Sequence, residues 1–301
     1  MSDKRSMRLL VGDNPFHGIS HLSQERSRAR GNALDNAEYA AELVMTALEN
    51  GADGFMFSVS ETTLSILQEV CKKEIKNLSL HAIVPYAYEY VRLATQAGGI
   101  TGLAKKIGKQ VIATMNVKAI VTGLKGVVRT DPVSLMKAYM LYEISRIRSV
   151  TRGKANLDSV MLHEVITEVA LALNLDWLFR SYIDFMWKLK IQPGFETRNF
   201  AYLVRKFKEW DIDFRKIAIV TAFNRVGFQM NPSKIECEKA LGTIPESKVT
   251  AMSILAAGYL KPPEAIDYIR TLPNLKGVVI GVSKERHARE TFGLLKEKLG
   301  S

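Results

Sequence analysis

Three of the chain's five histidines, His17, His21 and His163, sit where carboxylates, amides and hydroxyls gather beside glycine and proline. The first stretch reads Gly12-Asp13-Asn14-Pro15-Phe16-His17-Gly18-Ile19-Ser20-His21. Further on, His163 stands next to Glu164, and Glu196 is followed by Thr197 and Arg198. A histidine beside a carboxylate can move protons near neutral pH. Asp13, His17, His163 and Glu196 are therefore the candidates for catalysis, and Asn14, Glu164 and Asn224 for substrate contacts. The competing reading of His163 is a hydrogen-bonded core position; His17 and His21 could instead satisfy buried carbonyls. The same residue types also suit zinc or manganese. His17, His21 and His163, with Asp13, Glu164 or Glu196, form that alternative metal set.

A second kind of chemistry is written near the carboxyl end. Gly281-Val282-Ser283 opens a helical stretch over residues 284–295. Glycine lets a ligand approach the backbone, and the free N–H groups of a helix start favour an anion. Gly258 is a matching element one strand earlier. The plainer reading is that Lys284, Glu285, Arg286 and Arg289 form a charged, solvated helix face.

These groups need elements to bring them together. Eight β-branched runs recur, at 9–12, 54–58, 78–84, 159–163, 191–195, 217–222, 249–254 and 277–281, each followed by a helical stretch. Several are apolar without alternation, as parallel strands covered on both faces require. Helical spacing marks 36–50, ending at Gly51, as well as 201–210 and 263–271. Eight strand–helix units predict a single (β/α)8 TIM-type barrel over residues 1–301, with the candidate residues at the carboxyl ends of the strands. One interval is long. Residues 86–156 are expected to form a basic, mainly helical insertion between strands 3 and 4, lying over the catalytic face. Asp131-Pro132 marks a helix start within it, and 134–150 reads as one long helix.

Between residues 86 and 156, twelve Lys and Arg face only Glu89, Asp131 and Glu143, so this stretch holds much of the net charge of +11. Such a field attracts anionic partners. No nucleic-acid motif accompanies it, and its aromatics do not interleave with the basic residues as stacking platforms would. Trp177, Phe179, Tyr182, Phe185 and Trp187 read as core or as a homo-oligomer contact. Two distant cysteines, no signal-type start and no apolar run of membrane length predict a cytoplasmic protein.

The residues also resemble the aldo-keto reductase superfamily through most of the chain outside the basic stretch. Leu157-Asp158-Ser159-Val160-Met161-Leu162-His163 is similar to the strand ending in that family's catalytic histidine. Met252-Ser253-Ile254-Leu255-Ala256-Ala257-Gly258-Tyr259-Leu260 resembles its segment beside the cofactor diphosphate. Gly281-Val282-Ser283-Lys284, with Glu290 and Thr291, resembles the segment holding the adenosine end of NADP. The resemblance implies NADP as cofactor, with Ser283 and Lys284 at the adenosine phosphate and Glu290 at the adenine.

It also has gaps. Phe57-Ser58 stands where the family places an aspartate, no tyrosine acid follows, and strand three ends Ile83-Val84-Pro85 instead of in lysine. The carboxamide-holding Ser-Asn pair reads Glu196-Thr197, and the stacking tyrosine aligns near Met252. Of the reductase tetrad only His163 remains. Three functions are therefore weighed: a reductase-like enzyme, NADP-linked, with a non-standard acid–base set around His163; a metal-dependent hydrolase or lyase; and a non-enzymatic binder of polyanions. The expected ligand is a small molecule, anionic or phosphate-bearing.

Overall fold

Parallel strands buried on both faces leave no edge only if the sheet closes on itself. The computed structural model, which describes residues 7–17, 36–73, 75, 78–85 and 132–300, shows that closure. Its strands are β1 (Arg8–Gly12), β2 (Gly54–Ser58), β3 (Leu78–Val84), β4 (Ala155–Leu162), β5 (Gln192–Thr197), β6 (Ala218–Ala222), β7 (Lys248–Met252) and β8 (Leu275–Gly281). They pair in chain order, all parallel, and β8 returns to β1 with Gly281 opposite Gly12. This is the expected (β/α)8 barrel.

The helices alternate with the strands. They are α1 (Ala37–Glu49), α2 (Glu61–Lys72), α3 (Pro132–Thr151), α4 (Glu164–Ala172), α5 (Asp176–Lys188), α6 (Phe200–Glu209), α7 (Lys234–Gly242), α8 (Pro262–Thr271) and α9 (Glu285–Leu299). Their starts are chemically specified. Asn36 caps α1 by accepting from the Glu38 N–H, and Ser60 and Thr63 close a capping box on α2. The long helix of the basic stretch is α3, with Pro132 as its first residue. Residues 86–131 of that stretch, and His21, lie outside the described residues.

The strand interior is small. Leu10, Met56, Ile83, Met161, Ala218, Val220 and Met252 pack with Val279 inside the barrel. Gly194 is required there, because a Cβ would sit 1.9 Å from the Met161 sulfur. The thicker apolar layer lies between strands and helices. Phe179 and Tyr182 are wholly buried in it, and Phe179 meets Phe195 and Phe207 edge-on at 5.3 and 5.0 Å. Trp177 and Trp187 stay partly exposed.

Candidate functional site

Inward positions recur every second residue, so the first polar residues past the apolar interior point into the C-terminal mouth. Asp13 follows β1 directly. Its Oδ2 accepts the Ser58 backbone N–H at 2.6 Å and lies 3.0 Å from His17 Nε2. The turn that carries them, Asn14–His17, is anchored by buried Pro15 and Phe16, with Asn14 exposed on it. Asp13 is thus a buried carboxylate fixed between two strands.

His163 ends β4 but also caps α4. Its Nδ1 accepts the Val165 N–H at 3.2 Å, which leaves the hydrogen on Nε2 in the neutral ring. That Nε2 faces Glu196 Oε2 at 4.0 Å. Burial, foremost, holds the His163 pKa below its ordinary value, with Arg198 acting the same way and Glu164 and Asp13 opposing. Glu196 sits near the end of β5, buried, and accepts the Glu164 N–H at 3.2 Å. Its carboxyl is pushed up to about 7, first by burial and then by the negative charge of Glu164, against the pull of Arg198. Asp13 acts on both groups, so Asp13, His163, Glu164, Glu196 and Arg198 form one electrostatic unit.

Within this unit Glu164 turns its carboxylate to Arg198. Not every candidate joins it. Asn224 is fully buried and closes its own loop, donating to the Phe228 carbonyl and accepting the Phe228 N–H, both at 2.8 Å. Among the described residues no three His, Cys, Asp or Glu side chains are grouped to hold a metal ion. His17 is turned to Asp13, and His163 Nδ1 to a backbone N–H. Depressions of about 580 and 550 Å³ open on the other side of the barrel, beside α3 and α6. Their charged linings are solvent-facing and hold no histidine, so the buried acid–base unit is the better candidate.

Two residues are essential to this geometry and were not among the candidates read from the sequence. Glu168, one turn into α4, accepts from Thr197 Oγ1 at 2.6 Å, the Arg198 N–H at 2.9 Å, the Asn199 N–H at 3.2 Å and Asn199 Nδ2 at 3.0 Å. Pro15 occupies the space beside Gly281, where a Cβ would lie 2.6 Å from its Cδ. The fold therefore requires that glycine for packing, where the sequence suggested room for a ligand.

No protein-family model matches the sequence, and no curated protein matches it. Solved structures do. Two structures of a provisionally assigned aldo-keto reductase from Pseudomonas aeruginosa superpose with TM-scores of 0.56 and 0.57, at 10% and 9% identity. Each match covers 97% of this chain and 90% of the other. What this chain shares with them is the closed eight-stranded parallel barrel. At this identity the likeness is one of fold.

Within that barrel, the loop after β7 takes a left-handed path, with φ of 45° at Ala256, 61° at Ala257 and 89° at Gly258. Ser283 and Lys284 precede α9, whose N-cap residue, Lys284, makes no side-chain cap hydrogen bond. Glu290 lies exposed one turn on, paired with Arg286 at 2.7 Å, and Glu285 pairs with Arg289 at 2.5 Å. Among the described residues no helix is long and apolar enough to cross a membrane.

Proposed function

We propose that this chain is a small-molecule enzyme that performs proton transfer at the C-terminal mouth of its reductase-like barrel. One observation carries the reading: a buried Glu196 carboxyl faces the Nε2 of a neutral His163 at 4.0 Å. A carboxyl that titrates near 7 is present in both forms at neutral pH and can act as acid or base. His163 contributes an Nε2–H donor toward the same space. Asp13, held by the Ser58 N–H and His17, supplies a fixed negative charge for a developing positive one.

NADP is the cofactor that the resemblance suggests, and the residues of its phosphate end fit. The first turn of α9 lacks a side-chain cap hydrogen bond, Lys284 is exposed beside it, and the acidic residue of that turn, Glu285, is paired with Arg289. Ser283, Lys284 and Gly258 would hold the phosphates, with Gly281 behind them and Glu290 near the adenine once released from Arg286. When bound, NADP(H) supplies or accepts a hydride, and Glu196 and His163 handle the accompanying proton. Metal-dependent hydrolysis or lysis, and polyanion binding through the basic stretch, are the readings this one displaces.

The acid–base part is tested without a substrate. Carbon-13 NMR of the glutamate carboxyls should show one titration near pH 7 that disappears in Glu196→Gln; titration at the ordinary carboxylate pH would sink it. The cofactor part is tested by calorimetry with NADPH, inorganic phosphate and a sugar phosphate. Lys284→Glu should weaken binding about tenfold or more, or about 1.4 kcal/mol, and silence from all three ligands would remove it.

A further inference from the structure

Arg198 is the charged side chain at this mouth that the proton chemistry leaves unused. Its Nε–H is paired with Glu164, but its Nη1 is buried and has no acceptor among the described residues. A charged donor stripped of water and left unanswered is costly, so its survival calls for a missing acceptor. The loop cannot shift to supply one. Glu168 pins the N–H groups of Arg198 and Asn199, and the Asn231 N–H holds the Arg198 carbonyl at 3.1 Å. The side chain still has 21% of its surface exposed, so Arg198 is not sealed off from solvent.

We propose that Arg198 binds an oxyanion of the substrate, so that this site takes a small carboxylate- or phosphate-bearing molecule. Planar guanidinium geometry suits both anions. The inference rests on the reading of this mouth as the substrate site. Charge balance adds a consequence. Glu164 already neutralises Arg198, and both act on Glu196 of β5, together with Asp13, which follows β1 and pairs with His17, while His163 at the start of α4 faces the same carboxyl. An incoming anion adds one negative charge, and Glu196 is the carboxyl able to offset it by taking up a proton. Binding is therefore tighter at pH 6 than at pH 8.

The test is calorimetry with inorganic phosphate, pyruvate and the uncharged methyl ester of pyruvate, which separates phosphate from carboxylate recognition and both from shape alone. At least one anion binds the wild-type protein in the millimolar range, the ester binds about tenfold more weakly or not at all, and Arg198→Gln loses about tenfold or more of the anion affinity. Arg198→Lys falls between. Unchanged affinity in Arg198→Gln, or no binding of either anion by the wild type, overturns the proposal. So does binding that Lys284→Glu abolishes and Arg198→Gln spares. If Arg198→Gln does not fold, Glu164→Gln keeps the guanidinium and releases its charge; anion affinity then rises severalfold, and no rise counts against the proposal. The Glu196 carboxyl titration needs no anion, so it can succeed where Arg198 fails, or fail where Arg198 succeeds.

Discussion

Each mouth of the barrel places a histidine among carboxylates and hydroxyls, one at His81 and one at His163. At the N-terminal mouth, the His81 Nδ1 lies 2.6 Å from Ser159 Oγ and its Nε2 lies 3.0 Å from Ser79 Oγ, which bonds on to Asp158. With the hydrogen on Nε2, one series runs from the Ser159 hydroxyl through both ring nitrogens to the Asp158 carboxylate, and Arg8 Nη1, 3.4 Å from that Nε2, takes no part in it. At the C-terminal mouth the satisfaction is incomplete. Among the described residues, His163 Nε2 has a carboxyl at 4.0 Å and no hydrogen bond, and Arg198 Nη1 has no acceptor. A closed network rigidifies a fold, whereas an open one leaves capacity for a ligand. The difference teaches that a buried histidine becomes a candidate for function by what its second nitrogen lacks.

The sharpest way to break the comparison is to remove each ring. His163→Ala should lower turnover by about 10²–10⁴, the usual contribution of acid–base groups. Its cost in stability should be about 1 kcal/mol for the lost cap, or roughly 2–4 °C in melting temperature. His81→Ala should do the reverse, costing about 2–4 kcal/mol for a broken buried network while turnover of the folded fraction is kept. Thermal melts paired with single-temperature rates decide. A stable, inactive His81→Ala would erase the distinction between the mouths.

The two mouths should also titrate with opposite sign. Burial first, and then Arg8, depress His81 from 6.5 to about 4. Between those values the unfolded chain binds the proton that the folded chain refuses, so stability present above pH 6.5 is lost as pH falls toward 4. Glu196 is raised from 4.5 to about 7. Its contribution is present below pH 4.5 and is lost as pH rises through 7. Each limb is worth about 3 kcal/mol at most. Denaturant midpoints across pH 4–8 should therefore show Glu196→Gln gaining on wild type above neutrality and not below pH 4.5. A parallel offset at all pH values would mean that Glu196 is not held protonated.

Legibility in the sequence followed the same divide. The apolar runs marked all eight strands because burial on both faces removes alternation, and β4 was misjudged only at its start. There Asn156 and Asp158 are exposed between half-buried neighbours, so Ala155–Asp158 reads as loop. His163 and Glu196 were legible as polar residues ending such runs. The Asp13 contact to Ser58 was not, since it depends on the pairing of β1 with β2 that sets Gly12 beside Met56. Nor was the isolation of Arg198 Nη1, which exists only because Glu168 and Glu164 reach the same loop from α4. Such contacts join residues about 30 or more positions apart, and no local spacing encodes them.

The smallest expected effect concerns Gly281, which separates packing from ligand binding at the rim where β8 meets β1. A methyl group there would meet Pro15 Cδ at 2.6 Å and Cγ at 2.7 Å, and a proline ring cannot swing aside as a flexible side chain could. Pro15 is the second residue of the turn that carries His17 and follows Asp13, so the strain would reach the carboxylate that Ser58 holds. Gly281→Ala should cost about 1–3 kcal/mol, as overpacking does. It should also loosen the Asp13–His17 contact, seen as displaced His17 ring resonances by proton NMR. A Pro15→Ala, Gly281→Ala pair should recover part of the stability, because the obstructing ring is gone. If Gly281→Ala instead left stability and the His17 ring resonances untouched while weakening phosphate binding, the glycine would be serving a ligand, and the rim would belong with the open mouth.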